Sequence, residues 1–182
     1  CEKFYGEPID RDSIHAKQGK VNEEILSELM AYEFIQKSPP KSTGRHEFGE
    51  GLVKSIIKNY TKTSPDDLIR TFCIFTAKSI AENMKIFLNF NISDVRMIVS
   101  GGGIHHLVLM KDIQKYTRIS ELTTVDNYGI QPDSKEALLM AVLGLAHIQE
   151  MTANMPTVTG AKKMVVLGSL IQNSCLSCLN NK

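Results

Sequence analysis

The run Ile98-Val99-Ser100-Gly101-Gly102-Gly103 sets three consecutive glycines after an apolar, β-branched segment and before a helix-like one. Glycine has no Cβ, so such a run lets the backbone lie close against a planar or charged ligand. In open α/β sheets ligands bind beyond the carboxyl ends of the strands, where this turn would fall. The run therefore predicts a strand-to-helix turn facing a nucleotide base or a phosphate, with a bare tight turn as the plain alternative. It lacks the Gly-Lys-Ser/Thr ending of a P-loop, which argues against that form of phosphate grip.

A chain of 182 residues with 42% hydrophobic content can bury the core of one ordinary domain. Its net charge is +1, with acidic and basic residues well mixed, so neither a nucleic-acid partner nor a membrane surface is indicated. No apolar run approaches the roughly 20 residues that span a bilayer. The N-terminal Cys1-Glu2-Lys3-Phe4 has neither an initiator methionine nor a signal-peptide pattern and reads as a trimmed chain. Cys73 falls in an apolar helical pattern and is expected to pack as a small hydrophobe. Cys175 and Cys178 form a single Cys-x-x-Cys without the second pair of a zinc site, so no metal is expected. The cysteine spacing shows no disulfide framework, which suits a reducing cytoplasm.

Hydrophobic periodicity predicts helices over residues 22–32, 48–60 and 106–116. Pro39-Pro40 and the Lys41–Arg45 stretch form a loop. Ser64-Pro65-Asp66-Asp67 starts a long helix to about residue 88, since serine caps, proline suits the first turn and the aspartates complement the dipole. Its expected inward stripe is Ile69, Phe72, Cys73, Thr76, Ile80, Met84 and Phe87. Strands are predicted at 95–100, near 119–125 and at 164–167. A further helix opens at Asp133-Ser134-Lys135-Glu136 and reaches about residue 151, with Leu138, Ala141, Val142, Leu145 and Ile148 inward. The alternation gives an α/β fold in which the sheet is small and the helices dominate.

Several motifs follow one another along the chain: Gly6-Glu7-Pro8-Ile9-Asp10 with Ala16 and Gly19, then Pro39-Pro40-Lys41-Ser42-Thr43-Gly44-Arg45, then Asp67, Thr71, Thr76, Ala77, Ser79 and Ile80. After the triple glycine come Thr124, Asp126, Gly129 and Ile130, Glu136-Ala137, the stretch from Asn154 to Ala161, and Val166-Leu167-Gly168. In this order they resemble the C-terminal half of the anhydro-N-acetylmuramic acid kinases, of the sugar kinase, actin and heat-shock ATPase superfamily. The resemblance implies one lobe of an actin-like ATPase, ribonuclease H-like, over residues 1–172, with the N-terminal lobe absent; the polar stretch 173–182 reads by itself as a loosely ordered tail. It implies ATP and Mg2+ as cofactors and an anhydro amino sugar as substrate, converted in the cytoplasm to N-acetylmuramic acid 6-phosphate during cell-wall recycling. The general-base aspartate is expected upstream of Cys1, and this chain alone is not expected to catalyse. The long helices leave room for a homodimer.

The same resemblance sorts the candidate residues. Gly101, Gly102, Gly103 and His106 would face the nucleotide, although the family usually has asparagine at the position of His106 and proline at that of Leu107. Lys41, Ser42 and Arg45 would meet phosphate or the sugar's carboxylate, against a solvated basic loop as the plain reading. The family commonly has glutamate at the position of His46, and here Glu47 comes one place later. Asp126 would touch substrate or simply form a turn. Glu136 would orient sugar or water, or close a capping box with Asp133. Rival readings are a kinase of another anhydro sugar such as levoglucosan, a non-catalytic nucleotide- or sugar-binding lobe, and a structural dimerisation domain.

Overall fold

Ser64 starts the longest element of the chain, helix α7 (Pro65–Phe87), and nearly everything in the first part of the molecule packs on it. The Asp67 N–H donates to Ser64 Oγ at 3.1 Å, Pro65 occupies the first turn, and Asp66 and Asp67 sit at the positive end of the helix dipole. At about 1.5 Å per residue the helix is about 34 Å long. The computed structural model describes residues 1–88, 91 and 94–171; Cys175, Cys178 and the tail lie outside them.

Before α7 come α1 (Glu2–Tyr5), α2 (Ile14–Gln18), α3 (Glu23–Met30), α4 (Glu33–Gln36), α5 (Arg45–Phe48) and α6 (Glu50–Asn59). The Asn22 side chain caps α3, accepting from the Glu24 and Ile25 amides at 3.1 Å. Ile25, Leu26 and Leu29 of α3 then bury against Ile35, Leu52, Ile56, Leu68, Ile74 and Phe75 to make the core. Buried Thr71 is satisfied on both sides: its hydroxyl donates to the Asp67 carbonyl at 2.6 Å and accepts from the Asn22 amide at 2.9 Å. The loop after α2 runs so close to α7 that a Cβ on Gly19 would stand 2.0 Å from the Asp66 carbonyl oxygen.

After α7 the chain forms β1 (Arg96–Val99), α8 (Leu107–Thr117) and β2 (Glu121–Thr124). The two strands pair in parallel, Arg96 opposite Glu121 and Val99 opposite Thr124, and α8 is the crossover that a parallel pair requires. Helix α8 packs along α7, and the Arg70–Asp112 ion pair fastens the two: Arg70 Nη2 donates to Oδ1 at 3.1 Å while Nη1 donates to Oδ2. The Asp112 side chain is 8% exposed, so its charge depends on this partner.

The chain divides into two compact units, residues 1–135 and 136–182. The second contains most of α9 (Lys135–Ile148) and the single-turn α10 (Pro156–Thr159). Residues 161–171 then return past α9, with the His147 Nδ1–H donating to the Leu167 carbonyl at 2.9 Å. No helix among the described residues is long and apolar enough to cross a membrane.

The α/β class, the small sheet and the predicted helices agree with this architecture; three local expectations do not. The buried side of α7 is Leu68, Thr71, Ile74, Phe75 and Ala77 as well as Cys73 and Met84, while Thr76 is exposed and Ile69, Phe72, Ile80 and Phe87 are half-buried. Helices pack on this element from several sides, so no single stripe describes it. Leu138, Ala141, Val142, Leu145 and Ile148 are exposed, not inward. A helix apolar on every side needs cover on every side, and no residue of α9 is buried. Residues 164–167 form no strand: Val165 is held by the Ala153 amide and the Asn154 side chain, without a neighbouring strand among the described residues.

Removing one partner of the Arg70–Asp112 pair strands a buried charge. Arg70→Ala is expected to lower the unfolding free energy by about 3–5 kcal/mol, and the double substitution Arg70→Met with Asp112→Leu by much less, both read by urea denaturation.

Candidate functional site

The glycine run occupies the carboxyl end of β1, as the sequence predicts. Gly101 has φ 86° and ψ 174°, a region essentially closed to other residues, so the chain's exit from the strand demands glycine there. Gly102 and Gly103 begin a 3₁₀ turn ending at His105 and have no such requirement. A Cβ on Gly102 would meet nothing within 4 Å, and one on Gly103 only the end of Leu109 at 3.8 Å. Neither conformation nor packing explains glycine at 102; what its absent side chain does is leave a wall bare.

That wall belongs to a cavity of about 640 Å³ that the segment from Ile9 to Asp12 also lines. The two sides are joined by a network centred on Asp10. Its carboxylate accepts the amides of His15 and Ala16 at 2.9 Å each, which fixes the start of α2, and the His106 Nε2–H at 3.2 Å. Burial opposes the charge on Asp10, but the Ala16, His15 and His106 bonds outweigh it and hold the carboxyl below its ordinary value. His106 Nδ1 accepts from the Leu109 amide at 3.1 Å and so caps α8, which fixes the neutral tautomer with its proton on Nε2. Buried Ser13 completes the joint: its hydroxyl lies 3.2 Å from His106 Nδ1 and accepts from the Val108 amide at 3.3 Å.

His106 therefore does at this helix start what an asparagine cap could also do, and adds a bond that reaches Asp10. Cys73 lies 3.8 Å from His106 Nε2, but burial pushes its thiol up to about 12, and it packs as the small hydrophobe expected. A second polar cluster fixes the other end of α2. His15 Nδ1–H and the Tyr5 hydroxyl both donate to Asp66 Oδ1, at 2.8 and 2.5 Å, with the two rings stacked 3.7 Å apart. The hydrogen bond to Asp66 pushes the Tyr5 hydroxyl up to about 12.

The remaining candidates of the first unit are not gathered at this cavity. The Lys41 ammonium donates to the carbonyls of Phe34 and Ile35, at 3.0 and 3.3 Å, and lies over the rings of Phe34 and Phe87. Desolvation, with Lys37 nearby, holds its pKa below the ordinary lysine value. Ser42 and Arg45 are exposed, and Thr43 donates to Glu47 at 2.5 Å. Neither Lys41, Ser42, Arg45 nor Asp126 lines the cavity beside the glycines. Asp126 sits in a turn, accepting from Thr124 through its side chain and from Gly129 through its carbonyl. Glu136 is an exposed residue in the first turn of α9, in the second unit. Sequence reasoning passed over Asp10, Arg11 and Asp12 as site residues, though Asp10 stood in a motif it had marked.

The sequence model of the anhydro-N-acetylmuramic acid kinase family matches residues 1–173. An anhydro-N-acetylmuramic acid kinase of Clostridioides difficile (strain 630) is 35% identical over 170 residues, covering 93% of this chain and 44% of that protein. One of Bacillus cereus (strain Q1) is 36% identical over 175 residues, covering 93% of this chain and 45% of its own. The chain thus spans less than half the length of these relatives.

His106→Ala removes both the cap of α8 and the donor to Asp10, and is expected to cost about 1–3 kcal/mol; His106→Asn, which can still cap, costs less. Because the folded pKa of Asp10 is lowered, its contribution is complete above the ordinary value of 3.8 and disappears as pH falls through the lower folded one. Urea denaturation across that range is expected to show an acid loss that Asp10→Asn reduces.

Proposed function

The chain belongs to the anhydro-N-acetylmuramic acid kinase family, and from that premise we propose that it forms the nucleotide-facing part of a kinase acting on 1,6-anhydro-N-acetylmuramic acid with MgATP. The observation that carries the reading is the bare backbone at Gly102, which borders a cavity of about 640 Å³ although nothing in the fold requires glycine at that position. That volume falls within the range of small-molecule and cofactor sites. A purine ring is flat and needs a wall without side chains, so the cradle fits the base of ATP.

The reaction in this proposal couples hydrolysis to phosphoryl transfer. Water adds to the anomeric carbon, the 1,6 bridge opens, and O6 takes the γ-phosphoryl group of ATP, leaving ADP and the 6-phosphate. Catalysis of this kind is mostly positioning and charge stabilisation. The residues on this chain hold the nucleotide's end of the cleft: Asp10 and His106 keep the two sides of the cavity in register. Glu136 is the carboxylate proposed to orient sugar or water, and Ser42 and Arg45 the exposed polar residues proposed for the sugar's carboxylate or a phosphate. The base that activates water belongs, in this reading, to the part of the family's length that the chain does not span. Mg2+ would arrive on the phosphates of ATP, the usual way it is held with few protein ligands. The sugar arises from cell-wall turnover, and the reading places the enzyme in the cytoplasm, where ATP is supplied.

Incubating the full-length protein with ATP and 1,6-anhydro-N-acetylmuramic acid is expected to yield the 6-phosphate and ADP. Preferential turnover of levoglucosan would replace the proposed sugar, and no turnover of either would remove the kinase reading. Gly102→Val is expected to leave stability within about 0.5 kcal/mol, because the added side chain meets open space, while weakening ATP binding in calorimetric titration. Unchanged ATP affinity in that variant would contradict the assignment of the bare wall.

A further inference from the structure

The cavity has a second side, which glycine geometry does not explain. Arg11 and Asp12 both line it together with Gly102 and Gly103, and both are exposed. Among the described residues neither side chain makes an ion pair or hydrogen bond with the protein, in contrast to Asp10, whose carboxylate is fully engaged. The backbone that presents them is unusual. Asp12 and Ser13 are consecutive non-glycine residues with left-handed φ, 56° and 55°. The conformation is held from outside: Asp10 grips the next two amides but one, Ser13 is bonded to Val108 and His106, and Lys17 Nζ donates to the Asp12 carbonyl at 2.8 Å. Such over-determined strain gathers where a ligand is met.

The charges select the ligand. A simple anion attracted to Arg11 would be repelled by Asp12, and a simple cation by Arg11. A ligand that carries hydroxyl donors next to an anionic group suits both, and a ribonucleotide is such a ligand. We infer that Asp12 and Arg11 read the sugar-phosphate portion of the nucleotide, Asp12 accepting hydrogen bonds from the ribose hydroxyls and Arg11 pairing with phosphate, while the base rests on the glycine wall. This rests on the nucleotide reading of the cavity given above. It makes the site specific for a ribonucleotide over its 2′-deoxy counterpart, since a carboxylate left without its hydroxyl partner loses a charge-assisted bond.

The test is calorimetric titration of the full-length protein with ATP, 2′-deoxy-ATP and adenosine. The unaltered protein is expected to favour ATP over 2′-deoxy-ATP by about tenfold or more. Asp12→Gly, which the left-handed backbone accommodates without strain, is expected to abolish that preference. Arg11→Ala is expected to weaken ATP by about tenfold while leaving adenosine unchanged. If ATP binds but Asp12→Gly keeps the preference, or Arg11→Ala weakens adenosine as much as ATP, the inference falls and the nucleotide reading stands. If the unaltered protein binds no ATP, both fall together.

Discussion

Asp10 accepts hydrogen bonds from the His15 and Ala16 amides and from His106, and those bonds join two segments that lie far apart in the sequence. One is the turn that begins α2; the other is the glycine turn that leads into α8. Each would be an ordinary surface loop alone. Joined through a carboxylate that is 4% exposed, they become the two sides of one cavity. The cost of burying that charge is met by donors that favour its ionised form, so the joint is strongest while Asp10 is ionised.

The joint in turn relies on α7. Both α2 and α8 pack on this one helix, so the two sides of the cavity share a common backing. Arg70 and Asp112 fasten α8 to it, and Asp66, at its first turn, gathers Tyr5 and His15 beside α2. Stability and site geometry are therefore coupled through a single element. A substitution on the buried side of α7 would disturb the cavity without touching any residue that lines it. Helix α7 thereby helps to fix the spacing between the α2 and α8 segments.

Much of this was legible in the sequence because local rules governed it. Ser64-Pro65-Asp66-Asp67 announced α7 through capping and dipole chemistry, and the β-branched run before three glycines announced a strand and its exit. What could not be read depends on long-range partners. Asp12 and Ser13 carry too weak a signal for two successive left-handed residues to be read from sequence; Asp10, Val108 and His106 around them hold the conformation. Lys41 reads as a solvated charge until the carbonyls of Phe34 and Ile35 are found beneath it. The apolar pattern of α9 predicts burial, yet periodicity states only that a face wants cover, not that the described residues provide it. Glycine at 102 illustrates the reverse case: the sequence marked the position, but only the open space around it separates a functional reason from a conformational one.

The central claim is that the bare backbone at 101–103 is where a nucleotide rests, and amide hydrogen exchange of the full-length protein with and without saturating ATP tests it most directly. Binding there would slow exchange in a peptide spanning residues 101–106 and in one spanning 9–13, the two sides of the cavity. Protection by ATP confined to other segments, with both of these peptides exchanging as in the free protein, would contradict the account.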